Sequence, residues 1–137
     1  MYWITNKIAV HGLGEKGTHP LPWIERDEGI VEGVDIYDVR FMSDLGEDNP
    51  DALYALTIRN IIAIMDYRDV HYGDGRIAIC CGAGQSRSCA IAVGVLIDAY
   101  NMDYYDAVEL VKEKVPIANM DPSHLAALRR LYSVGRP

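Results

Sequence analysis

A thiol and a guanidinium lie close together in the second half of this chain, at Cys81 and Arg87. A thiolate is a strong nucleophile, and the guanidinium of arginine is a planar fork that matches two oxygens of a phosphate group. Glycines between them let successive backbone N–H groups turn inward and form an anion site. The residues of the intervening segment, which we predict to bind phosphate together with the arginine, are Gly82, Ala83, Gly84, Gln85 and Ser86.

The sequence on either side of this segment predicts the elements that must hold it. The apolar run before Cys81 predicts a strand over 76–80, and the apolar run 90–97 predicts a buried helix that begins near Arg87. The N-terminus of that helix directs free N–H groups and a positive dipole toward the loop, which favours a bound anion and a thiolate. Donors fixed around a phosphoryl group stabilise the transition state of its transfer.

Ser88 directly follows the arginine, so its hydroxyl can donate a hydrogen bond toward the sulfur of Cys81. Such a donor helps the thiolate to leave when a phosphocysteine intermediate is hydrolysed. Two other interpretations of the segment stay open at this point: a buried structural thiol, and a phosphate-binding loop without catalysis.

Composition and charge restrict the class of protein. The chain has 137 residues, half of them hydrophobic, which predicts one domain over 1–137. Its net charge of −7 argues against broad nucleic-acid binding, which depends on Lys and Arg. The odd count of three cysteines favours a reducing compartment, and no signal peptide or membrane span is evident. We therefore expect a cytoplasmic protein. The sequence leaves the oligomeric state open.

Strands dominate the first part of the chain and helices the last, with alternation between. This order predicts an α/β fold in which helices flank a central, mostly parallel sheet. The predicted strands are 2–10, 34–41 and 76–80. The predicted helices run from Pro50, capped by Asn49, to about Asp66; from near Arg87; from Asp103 until Pro116; and from Asp121 onward, with a short one near Trp23.

The stretch from Cys81 to Ser88 resembles the signature loop of the cysteine-dependent protein tyrosine phosphatases, which reads Cys, five residues, Arg, then Ser or Thr. Gly84 in the third position after the cysteine is typical of the dual-specificity branch. The resemblance extends from about Val34 to the C-terminus. It implies a compact dual-specificity phosphatase-like fold and hydrolysis of phosphotyrosine, while the depth of the pocket decides whether phosphoserine and phosphothreonine are also substrates. One departure is Cys80, because the family usually has histidine before the nucleophile.

The resemblance also implies an aspartate general acid on a loop upstream of the nucleophile. Asp44 follows the predicted strand and precedes the predicted helix cap, so it is our first candidate. Asp48 is the second. Asp51 is interpreted instead as a charge that favours the first turn of the helix.

Three other functions compete with a protein phosphatase. A rhodanese-type sulfurtransferase also uses a cysteine in an anion-binding loop, but it needs no upstream acid. A phospho-recognition module would bind without turnover. An RNA 5′-triphosphatase uses the same loop chemistry but is disfavoured by the acidic composition.

No metal site and no cofactor are predicted, and the expected partner is a phosphoprotein or phosphopeptide substrate. The histidines show no metal-ligand spacing and are interpreted as solvated or capping residues: His11, His19, His71 and His124. Cys80 or Cys89 is a candidate partner for a disulfide with an oxidised Cys81. Residues around Pro20–Trp23 are candidates for one wall of the pocket.

Overall fold

A four-stranded sheet lies at the centre of the protein, which we describe from a computed structural model over residues 1–12 and 33–133. Its strands are β1 (Tyr2–Trp3), β2 (Ile8–Gly12), β3 (Asp35–Asp38) and β4 (Ile77–Cys81). Their spatial order is β1-β2-β4-β3. β4 pairs in parallel with both β2 and β3, whereas β1 pairs antiparallel with β2. The sheet is therefore mostly parallel, as the sequence predicts.

Four α-helices and one short 3₁₀ helix complete the described part of the chain. The α-helices are α1 (Asp51–Tyr72), α2 (Arg87–Tyr100), α3 (Tyr104–Lys114) and α4 (Pro122–Ser133), and the 3₁₀ helix is Gly46–Asp48. The predicted helix near Trp23 and the predicted pocket wall at Pro20–Trp23 lie outside the described residues. No helix within the described ranges combines the length and apolar composition required to cross a bilayer.

The predicted first strand is wrong, because residues 2–10 form a hairpin of two strands. Thr5 makes the turn: its Oγ1 accepts hydrogen bonds from the backbone N–H groups of Lys7 and Ile8, each at 3.1 Å. A hydroxyl that satisfies local backbone donors in this way competes with an extended conformation. The two strands of the hairpin are antiparallel, and Tyr2 pairs with Val10.

The helix α1 is longer than predicted, ending at Tyr72 rather than near Asp66. Gly73 ends it in the left-handed conformation at φ 68°, which glycine adopts without a Cβ penalty. Arg68 holds the added turns against the sheet, donating to the carbonyl of Gly33 at 2.7 Å and to Asp35 at 3.0 Å. The amphipathic pattern fades over this part because most of its side chains are exposed.

Strand β3 is shorter than predicted, because the carboxylate of Asp38 ends it by accepting from the backbone N–H of Arg40 at 2.9 Å. The starts of α3 and α4 agree with prediction. Asp103 caps α3 by accepting from the N–H of Tyr105 at 3.0 Å. Asp121 likewise accepts from Ser123 ahead of α4.

The two faces of the sheet contact different clusters of side chains. Ile77, Ile79 and Cys81 of β4 pack into the main core, which the helices cover. Ala78 and Cys80 belong to a smaller cluster on the other face. Successive side chains of a strand point to opposite faces, so Cys81 projects toward the helical core at the carboxyl end of a central strand.

Candidate active site

The loop between β4 and α2 begins after Cys81 and ends at Arg87, as the sequence predicts. Gly84 has φ +73°, in the left-handed region where a side chain is strained. A Cβ on Gly84 would also lie 2.8 Å from the backbone nitrogen of Gly12. Conversely, a Cβ on Gly12 would lie 2.8 Å from the backbone carbon and oxygen of Ala83. The loop can therefore adopt this conformation only because positions 12 and 84 are both glycine.

Cys81 and Ser88 contact each other at the base of the loop. The distance between Cys81 Sγ and Ser88 Oγ is 3.2 Å, and both side chains are buried. A neutral thiol can donate to the hydroxyl, and the hydroxyl can donate to a thiolate. The structure therefore brings together two of the residues for which the sequence predicts a shared role.

The other two cysteines differ from Cys81 in their surroundings. Burial raises the pKa of the Cys80 thiol and that of the Cys89 thiol to about 12 each, so both are protonated at neutral pH. All three are free thiols. Cys80 faces the smaller cluster, away from Cys81, so a disulfide between these neighbours would require the strand to rearrange.

Arg87 joins the loop to the chain segment that follows β3. Its Nη1 donates to the carbonyl oxygen of Met42 at 3.1 Å and to that of Arg40 at 3.3 Å. Its Nε lies 3.1 Å from Asp44 Oδ1 in an ion pair. The guanidinium is 7% exposed, whereas the Asp44 side chain is 67% exposed. An almost buried cation thus has an accessible carboxylate at its edge.

The acid loop, residues 43–49, is held in shape by Asn49. The Asn49 amide accepts from the backbone N–H of Ser43 and donates to the carbonyl of the same residue, each at 2.9 Å. Asn49 is therefore a clamp across this loop, and its predicted role as helix cap is wrong. Pro50 takes the cap position of α1 and provides no side-chain hydrogen bond.

Asp48 and Asp51 contact groups other than Arg87. Asp48 accepts from the hydroxyl of Ser43 at 3.4 Å, within the acid loop itself. Asp51 pairs with Arg130 of α4 at 2.9 Å, and this hydrogen-bonded partner lowers the pKa of the Asp51 carboxyl. Among the predicted acid candidates, Asp44 is the one with a described ion pair to Arg87.

The connection between α3 and α4 donates hydrogen bonds to the loop between β4 and α2. The N–H of Asn119 donates to the carbonyl of Gln85 at 2.7 Å, and the N–H of Asp121 donates to the hydroxyl of Ser86 at 2.9 Å. Two loop residues are therefore fixed by backbone donors that lie far away in sequence. No local pattern could have indicated these contacts.

Comparisons with known proteins agree on the fold. Over 63 residues the chain is 36% identical to mouse dual specificity protein phosphatase 19, an alignment that covers 46% of this chain and 28% of that relative. The structure superposes on human DUSP28 with TM-score 0.73, at 15% identity and with 97% and 96% of the two chains covered. This is a dual-specificity phosphatase-like fold. No protein-family model matches the chain.

Two more structures of phosphatase-like fold are similar over almost the whole chain. A mouse putative dual specificity phosphatase, crystallised with zinc tungstate, gives TM-score 0.72 at 15% identity, with 96% of this chain and 86% of that one covered. The human tyrosine phosphatase-like serine/threonine/tyrosine-interacting protein gives 0.70 at 16% identity, covering 98% and 96%. The expected fold class is therefore confirmed.

His124 also departs from the sequence interpretation, because it is fully buried and not solvated. Its Nδ1 lies 2.7 Å from the hydroxyl of Tyr54, which is also fully buried. Tyr54 also contacts the acid loop, through the carbonyl of Gly46 at 3.3 Å. The spacing of α4 places position 124 on the inward face, but a histidine there gives no sequence signal of burial. Across residues 1–12 and 33–133, no cluster of metal-ligating side chains is present.

Proposed function

We propose that this protein hydrolyses phosphate esters on other proteins through a phosphocysteine intermediate, with Cys81 as nucleophile. The observation that carries the proposal is the ion pair of Asp44 with Arg87, at the end of the loop that begins after Cys81. Cys81 ends β4, Arg87 begins α2, and the carboxylate of Asp44 lies 3.1 Å from the Arg87 guanidinium. The likeness to phosphatase structures supports the same reaction class.

In the first step, the Cys81 thiolate attacks the phosphorus of a substrate held in the loop. The sulfur–phosphorus bond forms as the phosphorus–oxygen bond to the leaving group breaks. Loop N–H groups and the Arg87 fork bind the phosphoryl oxygens, where charge is redistributed in the transition state. The carboxyl of Asp44 gives its proton to the departing oxygen. Its exposure fits this role, because the leaving group must reach it.

In the second step, water attacks the phosphorus of phospho-Cys81. Asp44, now a carboxylate, accepts a proton from that water, and inorganic phosphate leaves with its new oxygen. The sulfur regains the electron pair as a thiolate. The Ser88 hydroxyl, 3.2 Å from Cys81 Sγ, donates to it and so stabilises the leaving group.

The substrate class in this proposal is a phosphotyrosine-containing protein, with phosphoserine and phosphothreonine as further substrates. An acidic chain of net charge −7 offers little general attraction for nucleic acid, so a triphosphate-ended RNA is a disfavoured substrate. A panel of phosphopeptides with such an RNA as comparison measures this selectivity.

The contact between Asp44 and Arg87 favours a phosphatase over the alternatives. A sulfurtransferase needs no carboxylic acid beside its anion loop, and a module that only binds phosphate needs no nucleophile. Thiosulfate-to-cyanide transfer without phosphatase activity would favour the first alternative. Tight phosphopeptide binding without turnover would favour the second.

Paired alanine variants of Asp44 and Asp48 test the acid assignment. The wild-type protein should hydrolyse para-nitrophenyl phosphate in the presence of a chelator and be inhibited by vanadate. Asp44→Ala should lower the rate with unsubstituted phenyl phosphate by about 10²-fold and flatten the decline of that rate toward alkaline pH, because the decline reports loss of the acid proton. Asp48→Ala is the control and should keep the wild-type profile. The opposite pattern would assign the acid to Asp48.

A further inference from the structure

A buried polar pair links helix α4 to the acid loop. His124 Nδ1 lies 2.7 Å from Tyr54 Oη, and both residues are fully buried. Tyr54 Oη also lies 3.3 Å from the carbonyl oxygen of Gly46 and 3.4 Å from the Asn49 amide nitrogen. The hydroxyl thus connects the imidazole to two residues of the acid loop.

The acid loop is in close contact with the start of α4 at a second point. A Cβ added to Gly46 would lie 2.5 Å from the backbone nitrogen of His124, so no larger residue fits there without a shift. The backbone N–H of Ser123 is the main cause of the lowered pKa of the Asp121 carboxyl, and the backbone N–H of Gly46 in the acid loop also contributes. The loop that carries Asp44 is therefore packed directly on α4.

The imidazole also lies beside the catalytic candidates themselves. It interacts with the backbone of Asp44, and the carboxylates of Asp44 and Asp121 and the guanidinium of Arg87 are the charged groups that act on it. Its Nε2 is buried, and within the described residues it has no partner of full hydrogen-bond geometry.

We propose that His124, acting through Tyr54, is a positioning residue that holds the acid loop where Asp44 can protonate the leaving group. A phenylalanine at position 124 would fill similar space without polar nitrogens that need partners, so packing alone does not require a histidine. The inference rests on the proposed role of Asp44 as the acid. It adds a buried pair that acts on the reaction without touching the substrate.

The leaving group of the substrate provides a readout that a merely structural role would not change. An aryl phosphate whose phenol is strongly acidic leaves without help, whereas unsubstituted phenyl phosphate needs the proton of Asp44. The experiment measures kcat/KM, which reports only the steps up to departure of the leaving group, for both esters with the full chain and three variants. His124→Phe removes both ring nitrogens, and Tyr54→Phe removes one hydroxyl with the smallest change in packing. Leu128→Ala, at another buried position of α4, controls for general loosening of that helix.

We expect His124→Phe and Tyr54→Phe to lower kcat/KM for phenyl phosphate about tenfold, which is less than the loss expected when the general acid is removed altogether. The value of kcat/KM for the activated ester should change less than about twofold. Leu128→Ala should change both rates by the same factor. Adding His124→Phe to Asp44→Ala should cause no further loss with phenyl phosphate, because the acid is already absent.

Two results separate the possible failures. Equal loss with both esters in His124→Phe and Tyr54→Phe, or no loss with either, would overturn the positioning role while leaving Asp44 as the acid. If Asp44→Ala itself shows no preference between the esters, the acid assignment under the proposed function is wrong, and the positioning role is overturned with it.

Discussion

Asp44 Oδ1 and Arg87 Nε lie 3.1 Å apart, so the candidate acid and the proposed phosphate-binding cation contact each other directly. The same guanidinium donates through Nη1 to the carbonyl oxygens of Arg40 and Met42, which precede the acid loop. The Arg87 side chain therefore lies at the end of the loop between β4 and α2 and also fixes the segment that leads to Asp44. Loss of its planar geometry should affect the position of the loop and that of Asp44.

Replacing Arg87 with lysine keeps the charge but removes the fork. Lysine cannot hold two phosphoryl oxygens and two carbonyl oxygens at once, so kcat/KM for para-nitrophenyl phosphate should fall about 10²- to 10³-fold. Arg130→Lys is the matched control, because Arg130 forms an exposed ion pair with Asp51 and such pairs contribute little. Equal activity of the two variants would contradict the role of the Arg87 fork.

The close approach of Gly12 to the loop that contains Gly84 predicts that substitution of Gly12, which lies outside this loop, disturbs the site. A Cβ at Gly12 would lie 2.8 Å from the backbone carbon and oxygen of Ala83, so Gly12→Ala should displace the loop and weaken vanadate binding. Gly73→Ala is the control: Gly73 also has a positive φ, but nothing lies within 4 Å of its added Cβ. That variant should lose about 1 kcal/mol of stability and keep vanadate affinity. Unchanged affinity in Gly12→Ala would contradict the geometry.

Much of this site could be predicted from sequence because its parts are local. A strand, a glycine-rich segment and an apolar helix follow one another between 76 and 97, and their types alone predict the loop between Cys81 and Arg87. Asp44 could be chosen because it follows a strand and because the resemblance implies an acid there. Local patterning also located the capped start of α3.

The remaining features depend on contacts between residues far apart in sequence. Asn49 has the residue type of a helix cap, yet it clamps Ser43 because the acid loop closes on itself. The polar type of His124 suggests exposure, but the tertiary packing of α4 against Tyr54 buries it. No pattern in one segment reports such pairings, so they required the structure.

The three cysteines should differ in their reaction with iodoacetate. Because burial raises the pKa of Cys80 and Cys89 to about 12, their thiolate fraction at pH 7 is only about 10⁻⁵. We expect one carboxymethyl group, on Cys81, formed together with inactivation and slowed by inorganic phosphate. Peptide mapping by mass spectrometry locates it. Labelling of Cys89 at the same rate would contradict this assignment.

Acid should destabilise the fold through His124. Burial lowers the pKa of this imidazole below the value near 6.5 that it regains on unfolding. As pH falls below about 6.5, the unfolded chain therefore binds more protons than the folded chain, and the free energy of unfolding decreases. Urea unfolding at pH 7.5 and pH 5.5 should show a smaller decrease for His124→Phe than for the wild-type chain.

The comparison of the two proteins isolates His124, since the other histidines are present in both. The carboxyls of Asp51, Asp74 and Asp121 have pKa values lowered from 3.8, so they do not change state in this range. An identical pH dependence in both proteins would show that position 124 does not contribute to acid sensitivity.

The phosphocysteine intermediate is the central claim, and trapping it on Cys81 is the most direct measurement. The Ser88→Ala variant, in which the second step should be slow, is mixed with a phosphotyrosine peptide and quenched in acid within the first turnover. Mass spectrometry should then find one phosphate on the peptide that contains Cys81, and none in a Cys81→Ser/Ser88→Ala double variant. Hydrolysis that proceeds without phosphate on Cys81, or that continues in the Cys81→Ser protein, would contradict the account.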